Sequence, residues 1–145
     1  MDRMIFINLP VTDLERSIGF YAAMGAVQDH QFSNQVAAKM RFSEAIHVML
    51  LTHEFFSTFT SRAIADAQAT AQTLLCLSAE SRADVDALVA AAAPAGGSLD
   101  PCPVQDRDFM YGRSVADPDG HIWEVMWMDT AAMPADLANA EPVTA

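Results

Sequence analysis

The stretch that most constrains this chain is Tyr111 to Met128, YGRSVADPDGHIWEVMWM. Two runs of strand-prone residues flank Asp117-Pro118-Asp119-Gly120. Proline presets φ at the second turn position, and glycine supplies the left-handed conformation that closes a type I turn with a bulge. The spacing therefore predicts a β-hairpin. In its second arm Trp123, Val125 and Trp127 alternate with Ile122, Glu124 and Met126, so period two sends them to opposite faces. The tryptophan face suits packing under helices. The other face carries one carboxylate, Glu124, among apolar neighbours, where it needs a partner, a metal or water. If the loop has three residues, Asp117 pairs with His121 and Ser114 lies opposite Glu124. If it has four, Arg113 takes that place. The turn chemistry favours the first.

A chain of 145 residues fits one domain or two small modules sharing a core. Eight basic against nineteen acidic residues leave a net charge of −11, which repels nucleic acid and anionic membranes. No stretch is long and apolar enough for a membrane helix, and the first residues lack a signal-peptide pattern. Cys76 and Cys102 form no disulfide framework and read as free thiols of a cytoplasmic protein. Cys76 is expected in a buried strand.

Met4 to Leu9 reads as a first strand ended by Pro10. Thr12 and Glu15 have capping-box spacing and start a helix with Leu14, Ile18 and Tyr21 on one face, stopped by Gly25. Three strand-like runs follow, from Ala26 to Phe32, Gln35 to Phe42 and Ala45 to Thr52. His53 to Gln72 breaks the pattern, as a short helix carrying Phe55, Phe56 and Phe59 and then a connector. That connector reads either as a lid over a pocket or as a crossover covering the core. Thr73 to Ala79 is a further strand. Ser81 caps a helix with Val85, Leu88 and Val89 as its stripe, and a weak strand interrupted by Pro101 and Pro103 precedes the hairpin. Two halves of about 70 residues thus share one β-α-β-β-β order, an internal structural repeat. The expected layout is one domain over 1–130, with modules at about 3–53 and 72–129, a connector at 54–71, and a flexible tail at 131–145.

NLPVTDLERSIGFYAAMGA after the first strand, together with DPDGHIWEVMW at the last, resembles the vicinal oxygen chelate superfamily. That family includes glyoxalase I, the bleomycin- and fosfomycin-resistance proteins and the extradiol dioxygenases. The resemblance covers Met4 to Asp129. It implies an α+β fold of two βαβββ modules curled around a cavity, and commonly a homodimer, with modules paired within a chain or across the interface. It also implies a divalent metal held by His, Gln or Glu side chains, activating vicinal oxygens of a substrate. Transferred by position, the ligand sites fall on Phe6, Leu50, Leu74 and Glu124. Glu124 alone is of a ligand type, and one carboxylate does not hold such a metal. No metal or other cofactor is therefore expected. His30, His47, His53 and His121 read as surface or turn residues, with His47 and His121 off the ligand face.

Three functions stay open on this reading. One is a glyoxalase-like lyase or isomerase acting on a small oxygenated substrate, with Glu124 moving a proton and Asn8 or Ser114 orienting. Another is a bleomycin-resistance-like protein that sequesters a small molecule without chemistry. Its ligand would be cationic and partly aromatic, held by Phe6, Phe55, Phe56, Phe59 and Met126. The third is a structural module with no ligand. Arg113, Tyr111, Asn8, Leu50 and Leu74 complete the candidate binding residues around Glu124.

Overall fold

The computed structural model describes residues 1–133. The expected tail, 131–145, lies for the most part outside them. The first half forms β1 (Ile5–Val11), α1 (Leu14–Ala23), β2 (Val27–Asp29), β3 (Ala37–Arg41) and β4 (Ile46–Thr52). A short helix α2 (His53–Phe56) and a connector without regular structure lead to β5 (Leu75–Ser78) and α3 (Arg82–Ala92). The chain continues through β6 (Ser98–Leu99), β7 (Gln105–Arg107), β8 (Met110–Ala116) and β9 (Ile122–Met128). Two open sheets result, in the orders β1-β4-β3-β2 and β5-β9-β8-β6, with β7 also paired to β8. In each, the module's first strand lies parallel to its last, a pairing made possible by the long helix-containing connection between them. No described helix is long and apolar enough to cross a membrane.

Each sheet presents one face to the helices. Leu9 and Val11 of β1, Val48 and Leu50 of β4, and Trp123 and Val125 of β9 are buried against Phe20, Tyr21, Val85 and Val89 in one continuous cluster. Burying a side chain the size of Phe20 contributes on the order of 2–3 kcal/mol, so this cluster is what fastens the two modules together. The tryptophan face of β9 thus lies under helices, as its alternation predicts. The second faces of the sheets carry Phe6, His47 and Met49 on one side and Cys76, Glu124 and Met126 on the other.

Several local expectations are corrected. Pro10 does not end β1, which runs on to Val11; β1 is an edge strand, where a missing donor is tolerated. Asp13 rather than Thr12 caps α1, accepting from the Arg16 N–H at 3.1 Å. The strand expected over Ala26 to Phe32 shortens to β2 and a single 3₁₀ turn, His30–Phe32. Ser81 caps α3 through the Asp84 N–H as expected, but the Asp84 carboxylate reaches back to the N–H of Glu80, one residue before the cap. Cys76 is exposed rather than buried, because β5 turns that side chain onto the sheet face away from the helices.

Candidate functional site

The hairpin turn is where the two modules meet. Asp117 N–H donates to the His121 carbonyl at 2.8 Å, and Gly120 N–H returns to the Asp117 carbonyl at 3.0 Å. The Asp117 carboxylate accepts at Oδ1 from the N–H groups of Asp119 and His121. Its other oxygen takes the hydroxyl of Tyr21 at 2.7 Å, and that hydroxyl accepts from Trp123 Nε1 at 3.0 Å. Burial pushes the Asp117 carboxyl up, against the lowering effect of these donors. Burial and then the neighbouring Asp117 charge hold the Tyr21 phenol well above its usual range. The start of α1 closes the contact. Thr12 donates twice to Asp119 Oδ1, from its N–H at 2.9 Å and its hydroxyl at 2.8 Å. Arg16 Nη2 donates to the Pro118 carbonyl at 3.1 Å. The two motifs that carry the family resemblance therefore clasp each other.

The connector lies across this joint. Gln68 Nε2 donates to the Pro118 carbonyl at 3.0 Å. Gly120, at φ +97°, is approached so closely that a Cβ there would lie 2.6 Å from the Ala67 carbonyl oxygen. Beneath the connector is a cavity of about 360 Å³. Asn8 and Pro10 of β1, Phe56 of α2, Leu75 of β5, and His121 and Ile122 at the start of β9 line it from below. Arg62, Ile64, Thr70 and Gln72 belong to the roof. A neighbouring groove of about 330 Å³ shares Pro10, Ile64 and His121, and carries Asp66 and Asp119. His121 Nε2 meets the Pro10 carbonyl at 2.8 Å. A carbonyl only accepts, so Nε2 bears the proton and Nδ1 keeps its lone pair in the neutral ring.

Glu124 stands apart from this cavity. Ser114 is its partner across the hairpin, the three-residue-loop register that the turn chemistry favours. Its side chain makes no hydrogen bond or ion pair with a described residue. It borders a slot of about 10 Å³ with Pro103, Gln105 and Gly112, room for no more than a water. Ser114 Oγ is occupied, accepting from the Cys102 N–H at 3.0 Å and facing the Cys102 carbonyl. Cys76 is the partner of Glu124 on β5. Burial, then the Glu124 charge, pushes its thiol up, which disfavours the thiolate.

The sequence-derived site residues divide into separate places. Asn8 and Phe56 line the cavity, whereas Phe55 and Phe59 pack edge to face on each other, 5.0 Å between centroids. Met126 shares the Glu124 face and lies over Gly112. Leu74 is exposed, one residue before β5. Leu50 is a correction: it pairs with Leu9 on the helix side, fully buried, and not on the face of Phe6. Tyr111 and Arg113 point to the helix side as well. Tyr111 donates to Asp86 of α3 at 2.7 Å. Arg113 binds Asp86 and, through two nitrogens, Asp100. Asp100 sits at φ +50° and is held below the usual carboxylate range by those Arg113 hydrogen bonds. No Arg113–Glu124 pair forms.

His47 is the second correction. It is 4% exposed and is the strand partner of Phe6, whose ring stacks on it at 4.7 Å. It therefore shares the face of Phe6, the one on which a first-module metal ligand is expected. Nε2 donates to the Glu44 carbonyl at 2.9 Å, and Nδ1 is buried with no partner. Lys39 covers Phe6 and Phe32 and pairs with Asp29 at 3.4 Å. A divalent metal does not fit these donors. Phe6 stands where an imidazole or amide is needed and covers His47, and Glu124 is on the other sheet. Among the described residues no group of three or more His, Cys, Asp or Glu is placed to hold a metal ion.

A family model described as Glyoxalase/Bleomycin resistance protein/Dioxygenase superfamily matches residues 3–125. No functionally curated protein matches the chain. Among solved structures, a glyoxalase-related enzyme from Fulvimarina pelagi is similar with a TM-score of 0.73 and 23% identity, over 88% of each chain. Lactoylglutathione lyase from Agrobacterium tumefaciens gives 0.63 at 17% identity, over 92% of this chain and 98% of that one. TnmS3, an antibiotic binding protein from Streptomyces, gives 0.60 at 17% identity, over 88% of this chain and 97% of that one. At such identities the likeness is one of fold alone.

Proposed function

The chain belongs to the glyoxalase/bleomycin resistance protein/dioxygenase superfamily, and we propose that within it this protein binds a small organic molecule, without a metal, in the cavity beneath the connector. One observation carries this reading. A cavity of about 360 Å³ is lined by both modules and roofed by the connector, with apolar walls, a few neutral hydrogen-bonding groups and one guanidinium, Arg62. Small-ligand sites have this size and make-up, about 300–1,000 Å³ with sparse polar groups. The neighbour named as an antibiotic binding protein is consistent with binding alone.

A homodimer in the cytoplasm belongs to the same proposal. Met4, Phe6, Leu74 and Met128 are 56, 47, 51 and 40% exposed on the sheet faces away from the helices, surface that a second copy would cover. Sedimentation equilibrium checks it.

A second reading keeps Glu124 as a group that moves a proton in a lyase or isomerase. Its support is the missing partner of that carboxylate and the neighbour named lactoylglutathione lyase. One experiment separates the two. The parent and Ala63→Trp, a substitution at a connector residue that lines the cavity beside Arg62, are titrated with a set of small organic molecules, bleomycin included. They are also assayed with the hemithioacetal of methylglyoxal and glutathione. Binding in a 1:1 ratio that Ala63→Trp abolishes, with no turnover and no effect of Mn²⁺, Ni²⁺ or Zn²⁺, is the expected result. Turnover lost in Glu124→Gln would overturn it in favour of the second reading.

A further inference from the structure

We infer that the ligand of the connector-roofed cavity is an amphipathic anion, an apolar body bearing one carboxylate, sulfonate or similar group that pairs with Arg62. The inference rests on the reading of that cavity as the binding site and adds the chemistry of the occupant. The chain holds nineteen acidic and eight basic residues, yet no carboxylate lines this cavity and its one charged side chain is Arg62. Arg62 makes no ion pair with a described residue. Arg3, Arg16, Arg41 and Arg107 share that state, whereas Lys39 pairs with Asp29, Arg82 with Asp106 and Arg113 with Asp86 and Asp100; what distinguishes Arg62 is its place in the cavity lining.

The remaining polar groups extend the pattern. Asn8, Thr60, Thr70, Gln72 and Thr73 supply amide and hydroxyl groups and His121 an imidazole, while Phe56, Ile64 and Ile122 give the cavity its apolar wall. Negative charge is kept next door. In the adjoining groove Asp119 is held by Thr12 and Asp66 by the Gln68 N–H. A cationic ligand, which the overall acidity suggests, would meet Arg62 and no counter-charge here. At ordinary salt the net charge is largely screened beyond about 10 Å, so the groups in contact decide which ligand stays. A guanidinium presents its donors in a fork that matches a planar or tetrahedral anion.

Two probes of one scaffold test this, 8-anilinonaphthalene-1-sulfonate and the uncharged N-phenyl-1-naphthylamine. Each is titrated by fluorescence into the parent, Arg62→Gln and Ala63→Trp, with circular dichroism verifying the fold. The sulfonate is expected to bind the parent 1:1 and more tightly than the neutral probe. Arg62→Gln should weaken the sulfonate by about tenfold, the loss of one charge-assisted contact, and leave the neutral probe within about twofold. Ala63→Trp should exclude both. If Arg62→Gln leaves the sulfonate unchanged, or weakens both probes equally, the anion inference fails and the cavity reading stands. If Ala63→Trp leaves the probes bound, or if neither binds the parent, the cavity reading itself fails.

Discussion

The hydroxyl of Tyr21 donates to Asp117 Oδ2 at 2.7 Å, joining residues 96 positions apart in the chain. The Tyr21 hydroxyl oxygen in turn accepts from Trp123 Nε1. Tyr21 ends the FY pair of the first motif, and Asp117 opens the DPDG turn of the second. Their co-occurrence therefore reports a structural joint between modules. Residues of both motifs fix the turn over which the connector lies.

Tyr21→Phe should destabilise the protein by about 2–4 kcal/mol, because it strands a buried carboxylate oxygen and an indole N–H. Burial raises Asp117 in the folded protein, while the Tyr21 hydrogen bond lowers it. A raised carboxyl contributes stability below the ordinary carboxylate range, and that contribution is lost as pH rises through the folded value. Without Tyr21 the folded value climbs further. The penalty should be full at neutral pH and shrink as pH falls through the Asp117 titration. Urea denaturation of parent and variant from pH 4 to 8 checks the sign, and a pH-independent difference would refute it.

Gly120→Ala meets two obstacles, the left-handed backbone at φ +97° and the Ala67 carbonyl 2.6 Å from the new Cβ. The conformation alone costs on the order of 1–2 kcal/mol, and the clash adds to it. The connector should lift from the turn. Limited proteolysis between residues 60 and 72 should accelerate, and ligand binding should weaken together with stability.

Arg113→Gln should leave ligand binding in the cavity unchanged, since Arg113 faces α3. Its pair with Asp100 is partly exposed, so the expected loss at neutral pH is about 1 kcal/mol. Arg113 hydrogen bonds hold Asp100 below its ordinary range. A depressed carboxyl contributes stability above that range and loses it as pH falls through the folded value. The difference between parent and variant should therefore vanish in acid. Binding that collapses with Arg113→Gln would return this residue to the site.

Glu124→Gln should change stability by less than about 0.5 kcal/mol, because the carboxylate has no partner to lose. It should speed alkylation of Cys76, measured in a Cys102→Ser background. Burial is the larger cause of the raised thiol and the Glu124 charge the smaller one, so recovery should be partial. An unchanged alkylation rate would mean that the two side chains do not sense each other.

The hairpin was legible because its causes are local. Proline, aspartate and glycine in that order select the loop, and alternation then sets Ser114 opposite Glu124 and Trp123 toward the helices. The face of β4 was not. IHVMLLT is apolar at nearly every position, so period two offers no frame, and Leu50 and His47 exchange the faces expected of them. The partners of Arg113 escaped for another reason. Asp86 lies on a helix and Asp100 in a loop, 27 and 13 positions away, and no periodicity links them.

The amino-acid sequence by itself determined the order of strands and helices, the hairpin and its register, and the absence of imidazole or amide at Phe6. Each depends on turn chemistry, side-chain period or residue identity, which act over a few positions. The tertiary structure decided where the connector lies, that it roofs a cavity between β1 and β9, and that Arg62 is the charged group there. It also turned Thr12, Tyr21 and Asp117 from isolated residues into the clasp between modules. Those contacts join segments tens of residues apart. They exist only once the shared apolar core has brought α1, the connector and the turn together, because apolar attraction is non-directional and a local pattern does not say which distant segment will cover it.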